Sequence, residues 1–294
     1  MYLRQNVRLM ALSILLFLSS AITEAQAVEN PRLTSAQVHE ILTSRIKDAP
    51  MPSDVATLDK LWSRQDLARL TARLRDVSNI KDAWLDMNWE KARILDGDGL
   101  IIVYAYMTDL WRLGATTRAS DGEGLKQAAG MMLAYGIDLI ILDGLRCADP
   151  SAPVHRRDQL MTQNPELIRF IANSPKSVRM SMGTISLAFE AATAPLRHND
   201  EVLCSGGLSQ ISAGLKAQGD KPLVQSPSAP GMIGKTYQVP APPGYKPEFV
   251  GEQIWRPKQN QARATMAALL TKLLTMPSDS QQGETSSPEV GNKH

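Results

Sequence analysis

The sequence predicts an all-α fold: a disulfide-pinned multi-helix bundle with a proline-rich extended arm and a C-terminal amphipathic helix. Three observations carry that prediction. Apolar residues recur at three- and four-residue spacing in stretch after stretch, the period of helices with one buried face. Cap residues followed by proline, or closed by glycine, punctuate these stretches where helices start and stop. And the chain has two cysteines, Cys147 and Cys204, behind an opening that reads as an export signal.

That opening is residues 1–27. Arg4 and Arg8 supply positive charge, Leu9 to Ile22 is an uncharged run of 14 residues, and Ala25-Gln26-Ala27 offers small residues for cleavage. The run is shorter than the ~20 residues a membrane-spanning helix needs, so a cleaved signal is expected, with an uncleaved anchor as the alternative. No cysteine follows it to accept a lipid. Cleavage leaves 294 − 27 = 267 residues, enough for one domain or two small ones. Arg4, Arg8 and Glu24 leave with the signal, so the net charge falls from +2 to +1. A near-neutral balance gives no electrostatic reason to expect nucleic acid or an acidic membrane surface, and no stable membrane span is expected after cleavage. In an oxidising compartment two cysteines read as one disulfide, Cys147–Cys204, with two free buried thiols as the alternative. No second Cys or His stands at ligand spacing from either, so no metal or cofactor is expected.

A helical domain is expected over residues 33–219. Thr34 and Gln37 have capping-box spacing and open a helix with Val38, Ile41, Leu42 and Ile46 on one stripe. Pro50 and Pro52 end it. Ser53 begins the next helical stretch, and Ser63 with Asp66 predicts a break before Leu67, Leu70, Leu74 and Val77. Ser78 or Asn79 caps a helix with Ile80, Ala83, Trp84, Met87 and Ile94 on one side and Leu85, Trp89 and Ala92 on another. Gly97 and Gly99 end it. Leu100 to Leu113 is nearly all apolar, a pattern that fits helix or strand. Its length and helical surroundings favour helix, closed by Gly114.

Ser120, Asp121 and Gly122 are expected to cap the most apolar helix, which runs to Leu145 and is apolar nearly all round, hence buried on most sides. Asp149-Pro150-Ser151, Asn164-Pro165 and Ser174-Pro175 are three cap-plus-proline starts. The third opens a helix with a Val178, Met182, Ile185, Phe189 and Ala192 seam. Asn199 or Asp200 is expected to begin a helix through Cys204, broken at Gly206-Gly207 before the stripe Leu208, Ile211 and Leu215.

Residues 220–257 change character. Eight of the chain's 18 prolines lie there, which excludes regular helix for most of it. Val224, Tyr237, Val239, Phe249 and Trp255 argue against a free linker, so the arm is expected to lie on the helical body. An amphipathic helix over 258–276 should turn Ala262, Met266, Leu269, Leu270 and Leu273 inward. The polar stretch 277–294 lacks aromatics and is expected to be disordered.

Several motifs fail on their chemistry. Residues 229–236 fit a relaxed phosphate loop, but prolines flank them where a strand and a helix are required. Ser44-Arg45-Ile46-Lys47 has Ser-x-x-Lys spacing without the partner motifs of acyl-serine enzymes. Ser209 is not in a Gly-x-Ser-x-Gly elbow. Asp96-Gly97-Asp98-Gly99 would place Ile94 and Ala105 at calcium-ligand positions, where neither ligates. Asp82, Asp86 and Glu90 share one helix face and read as a solvated acidic ridge. His39, His155 and His198 are isolated. Asp109, Asp138 and Asp143 stand out because they interrupt apolar helices. Structural ion pairs are the first reading, Asp143 with Arg146 and Asp138 with Arg112 or a helix end; a cleft acid is the second.

A buried helix ending at Cys147, short helices around Asn164-Pro165-Glu166, and closure at Cys204 together resemble small exported helical proteins. Among these are periplasmic immunity proteins against cell-wall enzymes and acid-stress chaperones. The resemblance covers about Leu125 to Leu208 and implies no site residues. No catalytic, cofactor or metal residue is assigned. The expected function is that of an exported, periplasmic protein that binds another protein through the proline-rich arm, as an accessory, immunity-like or chaperone-like factor. The alternative is a periplasmic hydrolase or cell-wall enzyme drawing its acid from Asp109, Asp138 or Asp143.

Overall fold

Caps and turns set the helix boundaries in the computed structural model, which describes residues 34–76, 80–226 and 236–275. The expected signal at 1–27, the caps Ser78 and Asn79, and the tail at 277–294 lie outside the described residues. Helix takes up 74% of what is described, with two short strands beside it.

Helix α1 (Ser35–Ile46) opens on the expected capping box: the Gln37 amide donates to Thr34 Oγ1 at 3.3 Å and the Thr34 amide to Gln37 Oε1 at 2.8 Å. Helices α2 (Val55–Ser63) and α3 (Leu67–Arg75) are parted where Gln65 takes a left-handed φ of 55° and Asp66 caps the Arg69 amide. Helix α4 (Ile80–Leu95) follows, then α5 (Leu100–Thr116), so the ambiguous apolar run is a helix. Gly114 does not close it. A Cβ there would come within 2.9 Å of the Gly122 carbonyl oxygen, so this glycine lets α5 cross close to its neighbour. That neighbour, α6 (Ala119–Leu142), starts before its expected caps.

Helix α6 is the post of the bundle. It packs on α5 and on the later helices α7 (Ser151–Gln163), α8 (Pro165–Asn173) and α9 (Lys176–Thr193), and it buries Leu133, Tyr135, Leu139 and Leu142. By length and composition Asp121–Arg146 could cross a membrane, yet 83% of its apolar window is buried inside the protein. All three proline-marked helix starts are present. The helix expected from Asn199 through Cys204 is instead a turn. Asp200 explains this: Oδ1 accepts from the Val202 and Leu203 amides at 2.8 and 3.0 Å, while Oδ2 accepts from the Leu100 amide at 2.7 Å. One carboxylate thus caps both this turn and the distant start of α5, and Gly206 at φ 86° then redirects the chain.

Cys147 and Cys204 form the disulfide, both buried, with Cα atoms 5.2 Å apart. Beyond it come α10 (Leu208–Gln218) and an antiparallel pair, β1 (Val224–Ser226) with β2 (Thr236–Gln238), in the register Gln225 to Tyr237. The chain then returns beside the disulfide. The Ala148 amide donates to the Glu248 carbonyl at 3.0 Å and the Val250 amide to the Arg146 carbonyl at 2.9 Å.

The last helix, α11 (Glu252–Thr275), begins at Glu252 rather than at 258 and contains Pro257. The bond that a residue-257 N–H would make to Gln253 is lost, but Gln253 is exposed, so water can reach its carbonyl, and the helix runs through the proline. Its inward stripe is Gln259, Met266, Leu270 and Leu274, with Ala262 half-buried. Leu269 and Leu273, expected inward, are exposed at 38% and 37%.

Candidate functional site

The three carboxylates singled out in the sequence are all buried; Asp109 stands apart, while Asp138 and Asp143 both neighbour Arg197. Asp109 on α5 meets Arg112 at 3.2 Å. Arg112, a candidate partner for Asp138, is therefore committed elsewhere. Burial pushes Asp109 up to about 6 against the pull of Arg112. Asp138 on α6 is fully buried against α9, beside Ser186, whose hydroxyl donates to the Gly183 carbonyl at 3.0 Å. Burial pushes Asp138 up to about 7, with Glu190 adding to the rise and Ser186 and Arg197 opposing it.

Asp143 belongs to a buried ion network at the foot of the bundle. Its expected partner Arg146 lies at 3.6 Å, but Arg197 donates Nε to it at 2.6 Å and Gln259 of α11 donates Nε2 at 3.1 Å. Arg197 also binds the Glu190 carboxylate, the Glu190 carbonyl at 3.0 Å and Thr193 Oγ1 at 2.9 Å. Arg263 of α11 reaches Glu190 Oε1 at 2.9 Å. Burial alone would raise Glu190, yet Arg263 and Arg197 together hold it below the usual glutamate range. Arg146 stacks on Trp255 at 4.5 Å. The arrangement ties α6, α9 and α11 together and leaves Asp143 no free face for chemistry.

A pH dependence follows from Asp138. Its folded-state value lies above its unfolded one, so its contribution to stability is complete below about pH 4 and is lost as pH rises through about 7. Between those limits the group lowers stability by up to ~1.4 kcal/mol per pH unit. Asp138→Asn should flatten that part of the stability–pH curve, measured by urea unfolding at closely spaced pH values. An unchanged slope would show that Asp138 is ionised in the fold throughout.

The solvated acidic ridge is not observed. Asp86 and Glu90 are fully buried; Arg73 of α3 folds over Asp86, pairing with it at 2.9 Å and with Asp54 at 2.6 Å. Neither carboxylate oxygen of Glu90 has a hydrogen-bond partner among the described residues. Burial raises Glu90 well above its ordinary value, and Asp109 and Asp86 push the same way, so the neutral carboxyl is favoured. Asp96 pairs with Arg93 at 2.8 Å. Ser44 donates to the Ile41 carbonyl at 2.9 Å, and neither Ser44 nor Lys47 is enclosed. His39 binds the Leu95 carbonyl at the end of α4, at 2.9 Å. Of the phosphate-loop-like stretch, all but Thr236 lies outside the described residues. Among the described residues no three His, Cys, Asp or Glu side chains gather as a metal site.

The segment after the disulfide, α10 and then the proline-rich arm, has a different character. Helix α10 is held at its start by another helix's caps: the Leu208 amide donates to Ser151 Oγ at 2.8 Å and the Ser209 amide to Asp149 Oδ2 at 2.7 Å. Burial would raise Asp149, but donors from Ser151 and Ser209 outweigh it and hold the carboxylate below its usual range. Farther along, Gly214 is the buried residue of α10, and a Cβ there would collide with the Pro240 carbonyl and with Val239. Because the small side of α10 faces the protein, its large side faces out. Leu208, Ile211 and Leu215 are 68%, 39% and 45% exposed, and Val224 and Tyr237 of the strand pair are 66% and 47% exposed. The sequence shows the stripe; the inward Gly214 beside it is the signal that it faces solvent.

No family model, curated protein or solved structure matches this chain.

Proposed function

We propose that this protein is exported to the periplasm and acts by binding another protein, as an accessory, immunity-like or chaperone-like factor. The contact face is α10 with the β1–β2 pair. The observation that carries this reading is the outward stripe Leu208, Ile211 and Leu215, a regular apolar row that nothing in the described fold covers. A row at helical spacing suits an amphipathic helix of a partner laid along it. Lys216 and Lys221 are exposed near the row, so acidic residues are expected to flank the partner's apolar face. The Cys147–Cys204 disulfide is compatible with a compartment outside the cytoplasm. The alternative, a hydrolase using Asp109, Asp138 or Asp143, has less support, because Asp109 is paired with Arg112 apart from the other two and Asp143 is held by Arg197 and Gln259.

The test places a photo-cross-linking residue at Ile211 in the exported protein and compares its adducts with those of a Leu208→Ser/Leu215→Ser version. A discrete heterologous adduct that the double substitution abolishes supports the reading. Adducts only to a second copy of this chain, or the same adducts with and without the apolar row, overturn it.

A further inference from the structure

We propose that the cavity between α4, α5, α6 and α9 binds a small amphiphilic anion, a medium-chain carboxylate whose headgroup pairs with Lys91. This site is separate from the arm. The cavity holds about 230 Å³ and is walled mainly by Leu110, Leu125, Met131, Met182 and Ile185. That is below the ~300–1,000 Å³ of pockets for drug-sized ligands, so a short apolar body fits. Two flexible methionines let the wall adapt to a chain.

Lys91 is the one charged side chain lining the cavity, and no hydrogen bond or ion pair joins it to a described residue. The arginines Arg73, Arg93 and Arg112 pair elsewhere, Arg73 with Asp86, Arg93 with Asp96 and Arg112 with Asp109. Asp86, Asp96 and Asp109 are taken up in those pairs, and the buried Glu90 favours its neutral form. Lys91 is half-buried at the cavity wall, where burial lowers its affinity for a proton, and no described carboxylate pairs with it. A ligand carboxylate supplies that partner. Ser177, Ser181 and Gln127 also line the cavity and offer hydroxyl and amide donors. A single ammonium matches a monoanion; a doubly charged phosphate would be left under-compensated.

The test is calorimetric titration of the full chain with octanoate, octan-1-ol and octyltrimethylammonium. Octanoate should bind one to one, and Lys91→Met should weaken it at least about tenfold while leaving octanol unchanged. Ala128→Leu, which places a larger side chain in the cavity wall, should weaken both. If Lys91→Met does not fold, methyl shifts of Met131 and Met182 in the unsubstituted protein report occupancy by octanoate but not by the cation. No octanoate binding, equal octanoate binding by folded Lys91→Met, or equal binding of octyltrimethylammonium would overturn the proposal.

Discussion

Arg197→Met should cost about 3–5 kcal/mol of unfolding free energy, the range for breaking a buried ion pair from one side. The Arg197 side chain is 1% exposed and faces Asp143 and Glu190, whose side chains are 6% and 3% exposed. Removing the guanidinium leaves Asp143 with Gln259 and the more distant Arg146, and Glu190 with Arg263 alone. Neither carboxylate can recover its hydration without opening the bundle. The magnitude does not mean that the network contributes that much relative to an apolar core, because desolvating the ions opposes their attraction. The combination Asp143→Asn, Glu190→Gln, Arg197→Met should therefore recover much of the loss. Urea unfolding of the two variants separates the cases. A loss under about 1 kcal/mol for Arg197→Met would place the cluster with ordinary surface pairs and refute its role in clamping α6, α9 and α11.

This network is also where sequence reasoning reached its limit. Helix starts were legible because caps act within three or four residues: Thr34 with Gln37, and Pro165 after Asn164, are local events. The disulfide was legible because two cysteines behind a stretch that reads as an export signal have one possible pairing. The inward face of α9 was legible only in part: Met182 and Ala192 of its apolar seam are buried and Val178, Ile185 and Phe189 pack against the core, but its polar members were not foreseen. Gly183, Ser186, Glu190 and Thr193 lie on one buried stripe, yet three of them are residue types that usually face water. Their partners Tyr135 and Arg263 stand 58 and 73 residues away, so nothing local reveals the burial. Asp86 and Glu90 misled for the same reason, since the cover over Asp86 comes from Arg73 on another helix. The candidate sites were hidden differently. Which side of α10 faces out is decided by Gly214 against Val239 and Pro240, a contact that joins the helix to the far side of the strand pair. The Lys91 cavity is a space between four helices and has no motif at all.

Cys204→Ser should lower the unfolding free energy by about 4 kcal/mol, the chain-entropy value for a bridge across 57 residues. The effect should equal that of adding reductant to the unsubstituted protein, and reductant should leave the variant's melting temperature unchanged. A melting temperature of the unsubstituted protein that ignores reductant would show that the bridge is not formed in solution. The bridge has a second consequence, because of what hangs from it. Cys147 is flanked by the two backbone hydrogen bonds that hold Glu248 and Val250, and Cys204 precedes the glycine turn that launches α10. The segment from α10 to Val250 thus leaves and rejoins the body within a few residues of the disulfide. Opening it frees the start of α10 to fray from Asp149 and Ser151, and the outward apolar row loses its fixed presentation. Cross-linking through Ile211 should therefore weaken in Cys204→Ser even at temperatures where the bundle stays folded. A variant that loses the expected stability but keeps full cross-linking would show that Asp149 and Ser151 anchor α10 without the bridge.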